Sequence, residues 1–297
     1  MNPRLNGILL STAGVVLLSP DILVVRWVPL DHGTLLFWRG VLLFFGFGAV
    51  ALYRYRSQLG LRLREGGLAG LGCALSFALT TYCFTQSMKL TSPTATMMII
   101  STAPVFAALL GWLWLRESAS RRTLITIAIT LAGIGIIVAD KDGHNSLAGN
   151  LYALGAALFM ALNFNIARRA APRDLSPMLI LGGLFASALA LLHTPVPALP
   201  GATELGVMAL TAALLMPIGF TLLQLAPRYI QATEVSLFLL LEAVLGPLWV
   251  WLVLGEAPGE RTLLGSLVVC AGLLFHCLGQ LPRNRAGLPP AASPPMV

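Results

Sequence analysis

Apolar residues in this chain fall into long blocks rather than alternating with polar ones, and short stretches carrying Arg, Pro or Gly separate the blocks. About twenty apolar residues make a helix long enough to cross the hydrocarbon core of a bilayer. Read block by block, the pattern predicts ten helices, at 6–28, 32–53, 66–87, 92–115, 121–139, 148–168, 175–193, 204–226, 232–254 and 261–280. The connections are short, which makes neighbours in sequence antiparallel neighbours in space. The fold class expected is therefore an all-α polytopic membrane protein.

Composition points the same way. The 297 residues are 57% hydrophobic and 10% charged, with mean hydropathy +0.83, whereas soluble domains carry about a quarter charged residues. The net charge of +7 does not indicate nucleic-acid binding, because the basic residues sit in short loops between apolar blocks and not along one face. Their distribution sets orientation instead. With the N-terminus in the cytoplasm, 14 of the 19 Lys and Arg residues fall on that side: Arg4, Arg54, Arg56, Arg62, Arg64, Arg116, Arg121, Arg122, Arg168, Arg169, Arg173, Arg228, Arg283 and Arg285. Arg26, Arg39, Lys89, Lys141 and Arg261 fall outside or within a helix. Both termini are expected in the cytoplasm. The first block lacks a small-residue cleavage site and reads as a membrane span, not a removed leader. The Pro-rich residues 282–297 read as a disordered tail. Cys73, Cys83, Cys270 and Cys277 lie inside apolar blocks without CxxC spacing, and His32, His144, His193 and His276 lack ligand spacing, so neither a metal nor a redox motif is expected.

Shifting the chain by 139 positions lays LLGWLWLRESASRRTLITIAITLAG (109–133) over LWVWLVLGEAPGERTLLGSLVVCAG (248–272), with 10 of 25 positions identical, including Glu117/Glu256, Arg122/Arg261 and Thr123/Thr262. This divides the chain into residues 1–139, helices 1 to 5, and residues 140–281, helices 6 to 10. Five is odd, so the second copy enters the membrane from the opposite side. Such an inverted-topology repeat is the architecture by which many secondary transporters build alternating access around a midplane site.

The segments LLFWRGVLLF, APVFAALLGWLWLRE and LLLEAVLGPLWVWLVLGE are where a family resemblance lies. Together they resemble the EamA-type transporters of the drug/metabolite transporter superfamily, and the resemblance covers nearly the whole chain. Pro104, Glu117, Glu242 and Glu256 fit the family's pattern; Ala243 departs from its Glu-Pro pair, with Pro247 four residues further on. The resemblance implies a secondary carrier in a cytoplasmic or inner membrane that moves small metabolites, often amino acids, outward.

Ionisable groups inside spans are costly and read first as functional. Asp21 and Arg39 lie at matching depth on consecutive antiparallel helices, open either to a fixed buried pair or to a place where opposite charges meet a zwitterion. Glu242 lies near the midplane of helix 9. At about 100° per residue Phe238, Gly246 and Trp249 share its face and are expected to wall a pocket. Three roles are open to Glu242: binding a substrate ammonium, carrying a coupling proton, or tying helix 9 to a neighbour. Asn163 aligns onto Asp21 when Gly149 is laid on Gly7, and is either a cavity residue or an ordinary interhelical hydrogen bond. Tyr82, Gln86 and Ser101 are further polar candidates. Pro20, Pro104, Pro217, Gly246 and Pro247 mark kinks or hinges.

The function expected is a secondary exporter of small zwitterions acting by alternating access, with the bilayer, a small-molecule substrate and protons as partners, as a monomer. Efflux of lipophilic cations by an acidic aromatic box around Glu242, Phe238 and Trp249 is the alternative. No Walker A pattern, GxSxG or metal cluster is present to support an ATPase, an intramembrane enzyme or a cofactor, and a passive scaffold gives no reason to keep Asp21, Arg39 and Glu242 in lipid.

Overall fold

A computed structural model describes residues 3–21, 24, 27–91, 93–138, 146–192, 194, 196–255 and 260–278. Outside the described residues fall the tail, Arg26, Lys141, His144, His193, Glu256 and the last two arginines, while Pro247, Arg261, Thr262, His276 and Cys277 are described only in their backbone.

Among the described residues every regular element is a helix and there is no strand. The helices are α1 (Pro3–Leu18), α2 (His32–Tyr55), α3 (Leu59–Leu90), α4 (Pro93–Ile100), α5 (Ala103–Leu110), α6 (Arg121–Val138), α7 (Leu147–Arg169), α8 (Leu179–Leu191), α9 (Ala202–Met208), α10 (Met216–Leu225), α11 (Ala232–Leu239), α12 (Glu242–Leu254) and α13 (Glu260–Leu278). Among the described residues, four stretches are long and apolar enough to cross a membrane: His32–Leu90, Leu147–Arg169, Ala202–Arg228 and Ala232–Val253. Pro3–Leu18, Ala103–Leu115, Ser176–Leu191 and Leu263–Phe275 are shorter apolar helices.

Several expected helices are broken, and each break has a local cause. The first stops at Leu18, in a turn at Ser19–Pro20; proline has no N–H to return to the carbonyl four residues back. The fourth divides at Ser101–Thr102 ahead of Pro104, where the Ser101 and Thr102 hydroxyls turn back onto the Met97 and Ile99 carbonyls (2.7 and 2.6 Å). Between α9 and α10, ahead of Pro217, residues Ala209–Leu215 form a π-helix in which the Met216 N–H reaches Thr211. This i→i+5 bonding, common at single-turn bulges, absorbs the donor that Pro217 lacks. The ninth divides at Leu240–Leu241, whose N–H groups bond three residues back to Leu237 and Phe238 (3.1 and 3.0 Å). α3 starts earlier than the pattern predicts, but Gly67 (φ 49°, ψ −147°) sets residues 59–66 apart as a short arm of their own.

The starts of α11, α12 and α13 each fall 139 residues after those of α4, α5 and α6. The left-handed residues that end the broken helices, Arg116 (φ 57°) and Gly255 (φ 73°), share that spacing.

α2 packs closely on α8 through Gly40 and Gly183. A Cβ on Gly183 would stand 2.5 Å from the Phe44 backbone nitrogen and 2.9 Å from the Gly40 carbonyl oxygen, and backbone cannot give way as a flexible side chain can. Gly183→Val is therefore expected to destabilise the protein by about 1–3 kcal/mol, the usual cost of overpacking, read as a lower melting temperature in detergent.

One end of the bundle gathers the charges. Asp174, in the turn between α7 and α8, bonds the Tyr55 hydroxyl, accepts from the Ser176 N–H (2.9 Å) and lies 3.3 Å from Arg54 and 3.6 Å from Arg228. Arg168 pairs with Glu117 (2.9 Å) and donates to the Pro227 carbonyl (3.0 Å). Arg4 pairs with Glu234 at 2.7 Å. The pairs Arg4–Glu234, Arg54–Asp174 and Arg168–Glu117 each join the first 139 residues to the remainder.

Candidate functional site

Away from that charged end, a cavity of about 80 Å³ opens between α1, α2, α3, α4, α7, α10 and the α11–α12 break, room for several water molecules. Its polar wall is made by Asp21, Arg39, Glu242, Thr80 and Thr81, and its apolar wall by Phe84, Phe220, Met97, Met160, Met216 and aliphatic side chains. The helix breaks supply two of the three charges. Asp21 follows the Ser19–Pro20 turn directly, and Glu242 is the first residue of α12. An anionic group at a helix start also meets the positive end of the helix dipole.

Asp21 and Arg39 form a 2.5 Å ion pair between the carboxylate Oδ2 and a guanidinium nitrogen, and that same nitrogen lies 3.4 Å from the Met216 sulfur. Both side chains are at least nine-tenths buried. The pair is not saturated: Asp21 Oδ1 and Arg39 Nε are buried and have no hydrogen-bond partner. Most buried polar groups are paired, so such exceptions call for an explanation. Glu242, half-buried, has no hydrogen-bond or ion-pair partner among the described residues. The site therefore presents two carboxylates and one guanidinium, with an acceptor and a donor still free.

The other sequence candidates are not drawn into this wall. Phe238 is 2% exposed and packs in the main hydrophobic cluster with Val15, Leu223 and Val235. Trp249 donates its indole N–H to Ser19 Oγ (2.8 Å). The turn at Leu240–Leu241 takes α11 and α12 out of phase and so parts Phe238 from Glu242, whereas Trp249 keeps the face of Glu242 on α12 but stands about 10 Å further along it, where it meets Ser19. Asn163 donates to the Cys73 carbonyl (2.8 Å), an interhelical bond between α7 and α3. Tyr82 stacks edge-on against Tyr152 at 6.2 Å, Gln86 is buried on α3, and Ser101 returns to its own helix. Pro20, Pro104 and Pro217 lie at or beside helix breaks, whereas Gly246 and Pro247 lie inside α12, past the break. Sequence reasoning passed over Met97, Met160, Met216, Phe84 and Phe220, because apolar side chains in apolar helices give no signal as to which face the cavity.

Comparison with known proteins places the chain. The EamA-like transporter family matches residues 5–139 and again residues 147–277. No curated protein matches the chain. A solved crystal structure superposes with a TM-score of 0.73 over 93% of this chain and 97% of the other, at 16% identity, a likeness in fold alone. Two family matches, an all-helical apolar fold and charges buried around a cavity agree on a multi-pass membrane transporter, and the chain belongs to the EamA-like transporter family.

Proposed function

We propose that the protein is a secondary exporter of small zwitterionic metabolites, amino acids in the first place, which bind between Asp21, Arg39 and Glu242. The observation that carries this reading is the unsaturated pair: Arg39 Nε is a donor for a carboxylate, and Asp21 Oδ1 with Glu242 forms an acceptor site for an ammonium group. A lipophilic cation would use the carboxylates and the aromatic wall but leave Arg39 Nε without a partner. A buried donor without a hydrogen-bond partner is costly, which favours the zwitterion. A melting-temperature screen separates the two, because a ligand that binds only the folded state raises apparent stability. L-amino acids should raise the melting temperature and tetraphenylphosphonium should not; the reverse result would turn the reading to cation efflux.

Ten spans in two inverted five-helix copies, with both termini cytoplasmic, are the architecture proposed for this carrier. Support comes from the doubled family match and from close contacts that recur in exchanged form. A Cβ on Gly7 would stand 2.7 Å from Ile230 and one on Gly149 2.7 Å from Thr91, while Gly133 abuts Val269 and Gly272 abuts Thr130. Ile230 follows Thr91, and Val269 follows Thr130, by the same 139 residues.

In this orientation the charged end faces the cytoplasm, and its ion pairs close that side while the cavity lies toward the outer half. Alternating access then requires these pairs to part. Burial pushes the Asp174 carboxyl up, but hydrogen bonds from Tyr55 and Ser176 and the charge of Arg228 outweigh it, holding the group below its ordinary value of 3.8. A lowered folded value means the contribution of Asp174 is fully present above about pH 4 and lost as pH falls through the lower value in the folded state. The closure is therefore insensitive to pH near neutrality. Asp174→Asn should raise the labelling rate of buried Cys73 by a membrane-impermeant thiol reagent applied from the cytoplasmic side, by about fivefold or less, the range of a partly exposed ion pair. A variant lacking the other three cysteines makes Cys73 the sole reporter; unchanged labelling would remove Asp174 from the closure.

A further inference from the structure

The tryptophan that shares a helix with Glu242 is joined to the break that holds Asp21. Pro20 leaves the Val16 carbonyl, four residues before it, without its helical N–H partner. The Ser19 hydroxyl fills that place, donating to the Val16 oxygen at 2.9 Å. Ser19 Oγ in turn accepts the indole N–H of Trp249 at 2.8 Å. One chain of hydrogen bonds thus runs from α12 into the turn immediately before Asp21, and Ser19 is fully buried.

A second polar contact joins the same two helical columns at their other end, the Arg4–Glu234 pair at 2.7 Å. Residues 4 and 19 are as far apart in sequence as residues 234 and 249, so the two columns run parallel with matched rise and are fastened at both ends. Both carboxylates of the cavity belong to these columns: Asp21 to the first and Glu242 to the second. The Trp–Ser link has no counterpart in the columns related by repeat, which are joined elsewhere, by Asn165 donating to the Ala107 carbonyl (3.3 Å) and by the Arg168–Glu117 pair. Laying Gly149 on Gly7 places Ala161 at Ser19, and the 139-residue shift places Leu110 at Trp249, neither with a side-chain hydrogen-bonding atom. Among the described residues the Trp249–Ser19 link and the two cavity carboxylates fall in the same pair of columns.

We infer that Trp249 is a positioning residue: through Ser19 it fixes the Pro20 break to α12, so that Asp21 and Glu242 are held as one rigid acceptor site and move together. Its ring is not a substrate wall. This inference rests on the transport reading only for its flux measurement. Its first test needs no ligand. In the full chain reconstituted in nanodiscs, hydrogen–deuterium exchange is followed for peptides covering the Ser19–Asp21 break and the Leu240–Glu242 break. Trp249→Phe keeps the ring and removes the N–H; Ser19→Ala removes the acceptor; Ser19→Thr keeps it. Trp249→Phe and Ser19→Ala should each speed exchange at both breaks by about fivefold, within the range of one lost hydrogen bond. The double variant should add nothing further, because neighbours in one network are not additive. Ser19→Thr should match the wild type. Faster exchange confined to α12 after Trp249→Phe, with the Asp21 break unchanged, would overturn the inference, as would additive effects.

The second test is amino-acid counterflow. Trp249→Phe should raise the half-saturating concentration of a radiolabelled L-amino-acid mixture by about fivefold with maximal rate preserved; an unchanged half-saturating concentration would also overturn the inference. If the wild type carries no amino acid, the transport reading fails while the exchange experiment still decides the role of Trp249.

Discussion

Glu242→Gln is expected to leave the protein folded and inserted, to cut amino-acid flux by about ten- to a hundredfold, and to make the remaining flux indifferent to pH. Glutamine keeps the size and the hydrogen-bonding carbonyl but removes the charge and the titratable proton. Hydrogen bonds to charged groups contribute about 1.5–3 kcal/mol, which sets that range of loss. The charged groups lining the cavity are Asp21, Arg39 and Glu242, and the first two are paired. Glu242 alone is left to change protonation without breaking an ion pair. Flux across a pH series checks both parts; a variant with wild-type rates and wild-type pH dependence would place Glu242 outside the transport cycle.

Arg39→Ala is expected to be the most damaging substitution for the fold itself. It strands the Asp21 carboxylate in a site at least nine-tenths buried, and breaking a buried ion pair by removing one partner costs about 3–5 kcal/mol. Folded protein should therefore fall sharply, seen as loss of the monodisperse species on size exclusion. Neutralising both partners, with Asp21→Asn and Arg39→Met, removes the stranded charge and should recover folded protein. The recovered double variant should still fail to transport, because the donor and acceptor for the zwitterion are gone. Recovery of transport along with folding would make the pair structural and nothing more.

Much of this architecture is legible in the sequence because it follows from block length and charge placement. The helices around residues 32–53, 148–168 and 232–254 are of this kind, and so is the doubling marked by Glu117/Glu256. That Asp21 and Arg39 can meet is open to inspection, since they lie at the same depth on consecutive antiparallel helices. What the sequence conceals is phase. A 100° wheel drawn through Glu242 assumes a continuous helix, and the turn at Leu240–Leu241 ends that assumption for Phe238, which goes into the core, while Trp249, two turns along α12 from Glu242, is taken up by Ser19. Proline marks the breaks only loosely: those near Pro104 and Pro247 begin up to seven residues earlier. The broken symmetry is legible only in part. Ala103 stands where Glu242 stands in the second half, but that Leu110 and Ala161 lack the Trp249–Ser19 bond can be appreciated only once the bond is seen.

The most direct measurement is counterflow in sealed proteoliposomes preloaded with unlabelled L-amino acids, following entry of a radiolabelled mixture of the same amino acids. Wild-type protein should accumulate label transiently above the external concentration, while Glu242→Gln and the Asp21→Asn, Arg39→Met double variant should not. No accumulation by the wild type, or equal accumulation by all three proteins, would contradict a zwitterion site at Asp21, Arg39 and Glu242.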